Sequence, residues 1–309
     1  MVKLAEDHEN NLQNVLNNSI ELRSMNAFTD TNNVPVIPQQ VSDKIFEIVS
    51  EIAPLYAQSQ KFQGVGTISV PVEKAEPEDA EMLAEGIASV PVDHEIDTVE
   101  LKPKRLTASL SATNQLLNGT TAGLETYFSN YLGRRIGNKL DNVILNGQAN
   151  SDKTPVDMLG IYKFIDGTAS VQTAEAAQLA DAVITEYASL KQEYINGAMW
   201  VMNRDMFDKL LHLKNTQGDY YLVQWSQAQG YVLLGLPIQI SEHAKADSVL
   251  LIIPAASLAS FTSKDINIAS VNNDSTTLLS DTTLFVACAH VHVAPVSLEA
   301  IRLLNITEA

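Results

Sequence analysis

The spacing of apolar residues changes several times along this chain, and each change marks a different kind of element. Residues 1–43 are polar and rich in Asn, and a helix over Leu4–Leu22 would place only Leu12, Val15 and Leu16 on one face. "TNNVPVIPQQ" cannot be helical, because Pro35 and Pro38 restrict themselves and the residues before them. The start therefore reads as an extended arm that needs a surface to lie on. "VSDKIFEIVSEIAPLYAQS" then has helical spacing at Ile45, Ile48, Val49, Ile52 and Leu55, with Ser42 as the expected N-cap.

The period drops to two over "VGTISVPV", where Gly66, Ile68 and Val70 share one face and Val65, Thr67 and Ser69 the other. "DTVELKPKRLTASLSA" contains a second alternating run. Between them lies "EKAEPEDAEMLAEG", with Glu73, Glu76, Glu78, Asp79, Glu81 and Glu85 close together. This predicts a long hairpin over residues 65–105 with an acidic, solvated tip. A two-stranded ribbon with few large apolar residues is marginal alone, so it should project and find a partner.

A helix is predicted from Thr120 or Thr121 to Asn146, with Leu124, Phe128, Leu132, Ile136, Leu140 and Ile144 recurring every four residues. A spacing of four drifts about 40° per step against the 3.6-residue turn. The stripe thus winds around the helix and meets different neighbours along its length, which describes a spine. Gly147 is the expected left-handed stop, and Leu159, Ile161 and Phe164 restart a core. Beyond it, a helix is predicted over about 174–192. "AMWVMN" follows as a strand, and Asn203 caps the helix "RDMFDKLLHLK". "NTQGDYYLVQWSQAQG" reads as loop; "YVLLGLPIQI", "SVLLIIP", "INIASV", "TLFVACAHVHVAP" and "LEAIRLLNI" read as strands.

The 309 residues are 45% hydrophobic and 18% charged, which makes a folded chain too long for one ordinary compact core. No apolar run reaches the roughly 18 residues of a membrane span, and the first twenty residues lack a signal-peptide core, so no membrane role is expected. Cys288 is the sole cysteine, which excludes an intrachain disulfide and a cysteine-based zinc cluster and argues for the cytosol. The net charge of −17 comes from 20 basic and 37 acidic residues. Non-specific binding to nucleic acid uses basic residues, so if this chain meets DNA it contains it and does not grip it. The same charge opposes self-association, which apolar burial must then overcome.

Little in the sequence points to catalysis. There is no phosphate-binding glycine loop, no G-x-S-x-G elbow and no H-E-x-x-H. The densest carboxylates sit on a hairpin tip, where nothing would shift a pKa. Cys288, His290 and His292 share a strand face and could hold a metal, but a third or fourth ligand would have to come from elsewhere. The blander reading is a core face that turns polar. His212 and His243 lie on polar segments and read as solvated; Trp200 and Trp225 read as core or interface anchors. No cofactor, metal ligand or catalytic residue is assigned.

An ordered run of motifs resembles a family. "NVPVIPQQVSDKIFEIV", "LAEGIASVPVDHEIDTVELKPKRLTASLSATNQLL", "ETYFSNYLGRRIGNKLDNVILNGQ", "MLGIYKF", "WVMNRDMFDKLLHLKNTQGDYY" and "LLGLPIQIS" together resemble a tailed-bacteriophage major capsid protein. The resemblance implies an α+β HK97-like fold. It would have an N-terminal arm (1–43), an extended loop (65–105), a peripheral domain (44–64, 106–171 and 263–296) with a spine helix over 121–146, and an α/β axial domain (172–262 and 297–309). It implies a non-enzymatic subunit that self-assembles into pentamers and hexamers of an icosahedral shell around double-stranded DNA, formed in the bacterial cytoplasm, with scaffold and portal proteins as partners. Val72, Lys74, Glu76, Glu78, Asp79, Glu81 and Met82 would then touch a neighbouring subunit. Asn215, Gln217, Asp219, Tyr220 and Trp225 would face the capsomer axis. "AEGIASVP" has no lysine where some relatives crosslink, and the arm is too short for a cleaved scaffolding segment, so neither feature is expected. The alternatives are an encapsulin-like cellular compartment and a soluble metal-dependent enzyme using Cys288, His290 and His292.

Overall fold

A computed structural model describes residues 39–73, 96–119, 124–148, 158–175, 178–214, 220, 222–227, 230–272 and 274–307. The expected helix over Leu4–Leu22 and the acidic hairpin tip lie outside them. Helix α1 spans Gln39–Ile52 and α2 Pro54–Gln58, followed by strands β1 (Gln60–Gln63), β2 (Ile68–Glu73), β3 (Ile96–Leu101) and β4 (Lys104–Thr113). Ser42 therefore lies inside α1 and is not its N-cap; past Pro38 nothing in the sequence obstructs a helix, so it starts earlier. Helix α3 (Asn114–Gly119) is separate from the long helix α4 (Leu124–Asn146), which has 23 residues. Next come α5 (Ile161–Phe164), β5 (Val171–Glu175), α6 (Leu179–Ser189), α7 (Gln192–Ile195), β6 (Met199–Met202) and α8 (Arg204–Leu211). The chain finishes with β7 (Val223–Ser226), β8 (Gly230–Leu233), β9 (Leu236–Ile240), β10 (Ser248–Ile252), α9 (Pro254–Ser257), β11 (Leu258–Val271), α10 (Ser275–Leu279), β12 (Thr282–Pro295) and β13 (Ile301–Thr307).

Two compact units divide the chain. The first holds the described part of Met1–Val49 with Thr107–Ile136 and Ile266–Ala289. Within it, the Phe128 and Phe285 rings lie 4.8 Å apart. The Asn114 side chain donates to Asp281 Oδ1 at 2.7 Å and accepts from the Thr283 hydroxyl at 2.7 Å.

The second unit, Ser50–Leu106, Gly137–Asp265 and His290–Ala309, contains a seven-stranded mixed sheet in the order β5-β13-β10-β6-β9-β8-β7. Strand β10 lies inside it, buried at every residue and antiparallel to both β13 and β6. A strand covered on both faces reads as an unbroken apolar run, which is what "SVLLI" is. Trp200, Met202, Met206, Val249, Leu251 and Leu304 anchor the core between this sheet and α6 and α8, and Trp200 Nε1 donates to the Leu233 carbonyl at 3.0 Å. Asn203 caps α8, accepting from the Asp205 amide, as its position predicts.

Three sequence readings are corrected here. "YVLLGLPIQI" is not one strand: β8 and β9 pair antiparallel through a tight turn in which Leu234 (φ 52°) and Gly235 (φ 82°) are both left-handed. Residues 171–175, straddling the start of the expected helix over 174–192, are an edge strand parallel to β13, and the helix begins only at Leu179. The expected loop around Trp225 contains β7, paired with β8.

Candidate assembly surfaces

The ribbon is the first candidate. β2 and β3 pair antiparallel from Ile68↔Leu101 to Glu73↔Ile96. One face of its base is apolar: Val70 and Leu101 are buried with Ala259, Phe261 and Ala294, and Ile68 and Val99 pack against them. Burial fades along β3, from 0% exposed at Leu101 to 63% at Ile96. Just past β3, the Lys102 amide donates to Nδ1 of the buried His292 at 3.1 Å. Burial, together with the nearby Lys104 charge, lowers the His292 pKa to about 4, so the ring is neutral and free to accept. Of the residues expected to touch a neighbour, Val72 is half-buried on β2. Lys74, Glu76, Glu78, Asp79, Glu81 and Met82 lie outside the described residues.

The second candidate is the free edge of the seven-stranded sheet. Trp225 on β7 is 68% exposed and sits opposite Tyr231 on β8, their rings edge to face at 5.0 Å. Tyr231 in turn meets Phe207 of α8 at 5.1 Å. Tyr220 is also exposed, with the Lys214 ammonium 4.9 Å above its ring. Sequence reasoning singled out Tyr220 and Trp225 but missed Tyr231, which only the strand register brings to Trp225. Asn215, Gln217 and Asp219 lie outside the described residues.

The third is α4. Phe128, Leu132, Ile136, Leu140 and Ile144 are buried, and in the last turns so are Asp141, Val143 and Leu145; the Leu124 side chain lies outside the described residues. Two glycines let α1 approach closely. A Cβ on Gly133 would stand 3.1 Å from Ile48, and one on Gly137 3.0 Å from Ile52. The helix stop has a different cause from the one expected. Gly147 is not left-handed, and its amide continues the helical pattern to Val143 at 2.9 Å. Instead its carbonyl accepts from the Gly160 amide at 2.9 Å, and a Cβ on either glycine would collide with the other segment's backbone. Glycine is required there for contact, not for a turn.

That contact opens onto a polar knot that the sequence did not announce. The Ser241 hydroxyl donates to the buried Asp141 carboxylate at 2.5 Å, and Asn146 Nδ2 donates to the His243 carbonyl at 2.7 Å. Tyr162 exchanges a hydrogen bond with Ser248 at 3.2 Å and accepts from the Lys245 amide. Burial pushes the Asp141 pKa up, with the Ser241 bond opposing. The Ser241 hydroxyl also accepts from the His243 amide at 3.1 Å, so the group fastens the segment after β9 to α4. Among the described residues no three His, Cys, Asp or Glu side chains gather as a metal site.

The comparisons fit this architecture. The model of the phage capsid family matches residues 34–306, and the chain belongs to that family. Its fold is HK97-like. Solved structures with the same fold include the capsid of a native GTA particle computed with C5 symmetry (TM-score 0.67, 18% identity, covering 83% of this chain and 90% of that one). Microbacterium phage Oxtober96 follows at TM-score 0.64 and 11% identity, covering 83% and 91%. The procapsid of satellite phage P4 with its size-determination protein gives 0.57 and 10%, covering 86% and 99%. No curated protein matches. The protein is thus a structural, capsid-forming subunit.

Proposed function

We propose that this chain is the major capsid protein of a tailed phage, forming pentamers and hexamers of an icosahedral shell around double-stranded DNA. The observation that carries the reading is a ribbon whose base is fixed in the subunit core while its outer half, to Ile96, has no cover among the described residues. A neighbouring subunit supplies that cover. α4 is the spine helix, residues 65–105 the extended loop, and the edge bearing Tyr220, Trp225 and Tyr231 faces the capsomer axis. Aromatic side chains exposed at a rigid strand edge suit such a contact, since large rings dominate interface energy. Scaffold and portal proteins complete assembly in the host cytoplasm. The test is electron microscopy of the overexpressed chain beside a variant in which residues 74–95 are replaced by Asn-Gly. Wild type should close into shells, and the variant should stay folded and open. A wild-type chain that remains monomeric at high concentration, or normal shells from the variant, would overturn the proposal.

A further inference from the structure

The exposed positions of α4 are Tyr127, Tyr131, Arg134, Arg135, Asn138 and Lys139, with pairs of buried residues between them. At 100° per residue they fall within about 140° of the helix circumference. The Tyr127 and Tyr131 rings stack at 6.3 Å, and the Arg135 guanidinium lies 5.7 Å from the centre of the Tyr131 ring while donating to the Ser109 carbonyl at 2.7 Å. Arg134 and Lys139 have no ion-pair partner among the described residues. The one other charged side chain described on this helix, Asp141, is buried and held by Ser241. In a chain with 37 acidic and 20 basic residues, a helix face with three cations and no exposed described carboxylate stands apart.

We propose that this face of α4 is the surface that meets the enclosed nucleic acid, through phosphate contacts from Arg134, Arg135 and Lys139 flanked by the two tyrosines. The inference rests on the shell reading and adds to it which surface looks inward. Charge complementarity decides the occupant. A duplex carries a phosphate charge about every 1.7 Å of its axis, so a rigid helix with three cations matches it without sequence readout. Guanidinium groups pair phosphate oxygens in a fork, and tyrosine hydroxyls add neutral donors. The contact per subunit is weak, as the net charge requires, and repetition over the shell makes it count.

Acetic anhydride labelling of intact DNA-filled and emptied particles, read by mass spectrometry, tests this, with exposed Lys163 as internal reference. Lys139 should acetylate several-fold more slowly in filled particles than in empty ones. Equal, fast rates in both would overturn the proposal, and slow rates in both would assign the face to a neighbouring protein chain instead. If the wild type forms no particle, the shell reading itself fails. The face is then judged by titrating the soluble protein with a short labelled duplex across salt concentrations. There, starting from low salt, where a weak single contact is strongest, R134Q/K139Q should lower the salt slope by about two; absence of wild-type binding at low salt, or an unchanged slope, would count against it.

Discussion

The seven-stranded sheet and the β2–β3 ribbon belong to the same compact unit, yet they are stabilised differently. In the sheet, β10 is buried at all five residues and is covered by neighbours from its own chain. In the ribbon, β3 has one fully buried residue, Leu101, and exposure grows toward the tip. The sheet satisfies its backbone and side chains within one molecule. Among the described residues the ribbon is satisfied at its base and open beyond it, as the proposed packing against another copy requires.

The largest effect that separates the two comes from placing a charge in each. Leu251→Asp puts an unpaired carboxylate in the core between the sheet and α6 and α8 and should cost about 4 kcal/mol or more, read as a collapsed urea midpoint. Ile96→Asp should change subunit stability by no more than about 0.5 kcal/mol and yet lower the yield of closed particles. Comparable losses of subunit stability from both would erase the distinction.

A second, smaller effect sits on the helix that covers the sheet. Glu186 of α6 is 1% exposed, and neither carboxylate oxygen has a hydrogen-bond partner among the described residues; the nearby Ser189 hydroxyl donates to the Glu186 backbone carbonyl instead. Burial raises its pKa to about 7, with the Arg302 charge opposing. Between about 4.5 and 7 the folded chain keeps a proton that the unfolded chain has released, so rising pH lowers stability across that window. Glu186→Gln should therefore stabilise the subunit by about 2 kcal/mol at pH 8 and leave it unchanged at pH 4, measured by thermal melting at both. A gain independent of pH would show that the carboxyl stays charged.

Much of this contrast is visible in the sequence, because it follows from patterning. The apolar run in "SVLLI" predicts a buried strand, the sparse alternation of "VGTISVPV" predicts a thin ribbon, and Asn203 before "RDMFDKLL" predicts a capped helix. What stays hidden depends on pairing over distance. Leu234 lacks the Asn or Gly that normally marks a hairpin turn, so β8 and β9 read as one strand. β5 and β7 are short edge strands whose residues carry no alternation strong enough to separate them from loop. The meeting of Gly147 with Gly160 and the Asp141–Ser241 bond join residues 13 and 100 positions apart, and no local pattern encodes such partners. Of the candidate surfaces, the ribbon and the Tyr220–Trp225 edge were legible as positions, whereas the Trp225–Tyr231 pair needed the register.

The smallest effect is the most local and tests whether the ribbon's base is a separate fastening. His292 accepts from the Lys102 amide only while its ring is neutral. Its pKa is about 4 in the folded chain against the ordinary 6.5. Between those values the unfolded chain binds a proton that the folded chain refuses, so stability is lost as pH falls from 6.5 toward 4 and levels off below. The Lys104 charge opposes protonation of the ring, and Lys102, which gives the ring its backbone amide, has its ammonium paired with Glu100 at 2.8 Å. Neither supplies a carboxylate that would hold the protonated ring in place, so acid should open the ribbon base first. Hydrogen exchange, corrected for the intrinsic pH dependence, should show residues 96–104 losing protection between pH 6.5 and 4 while β10 keeps its own. His292→Phe should remove the acceptor at a cost of about 1 kcal/mol and abolish that pH dependence. If β10 and the ribbon lose protection together, the ribbon base is part of the sheet's cooperative unit, and the comparison must be redrawn with its boundary farther out along β2 and β3.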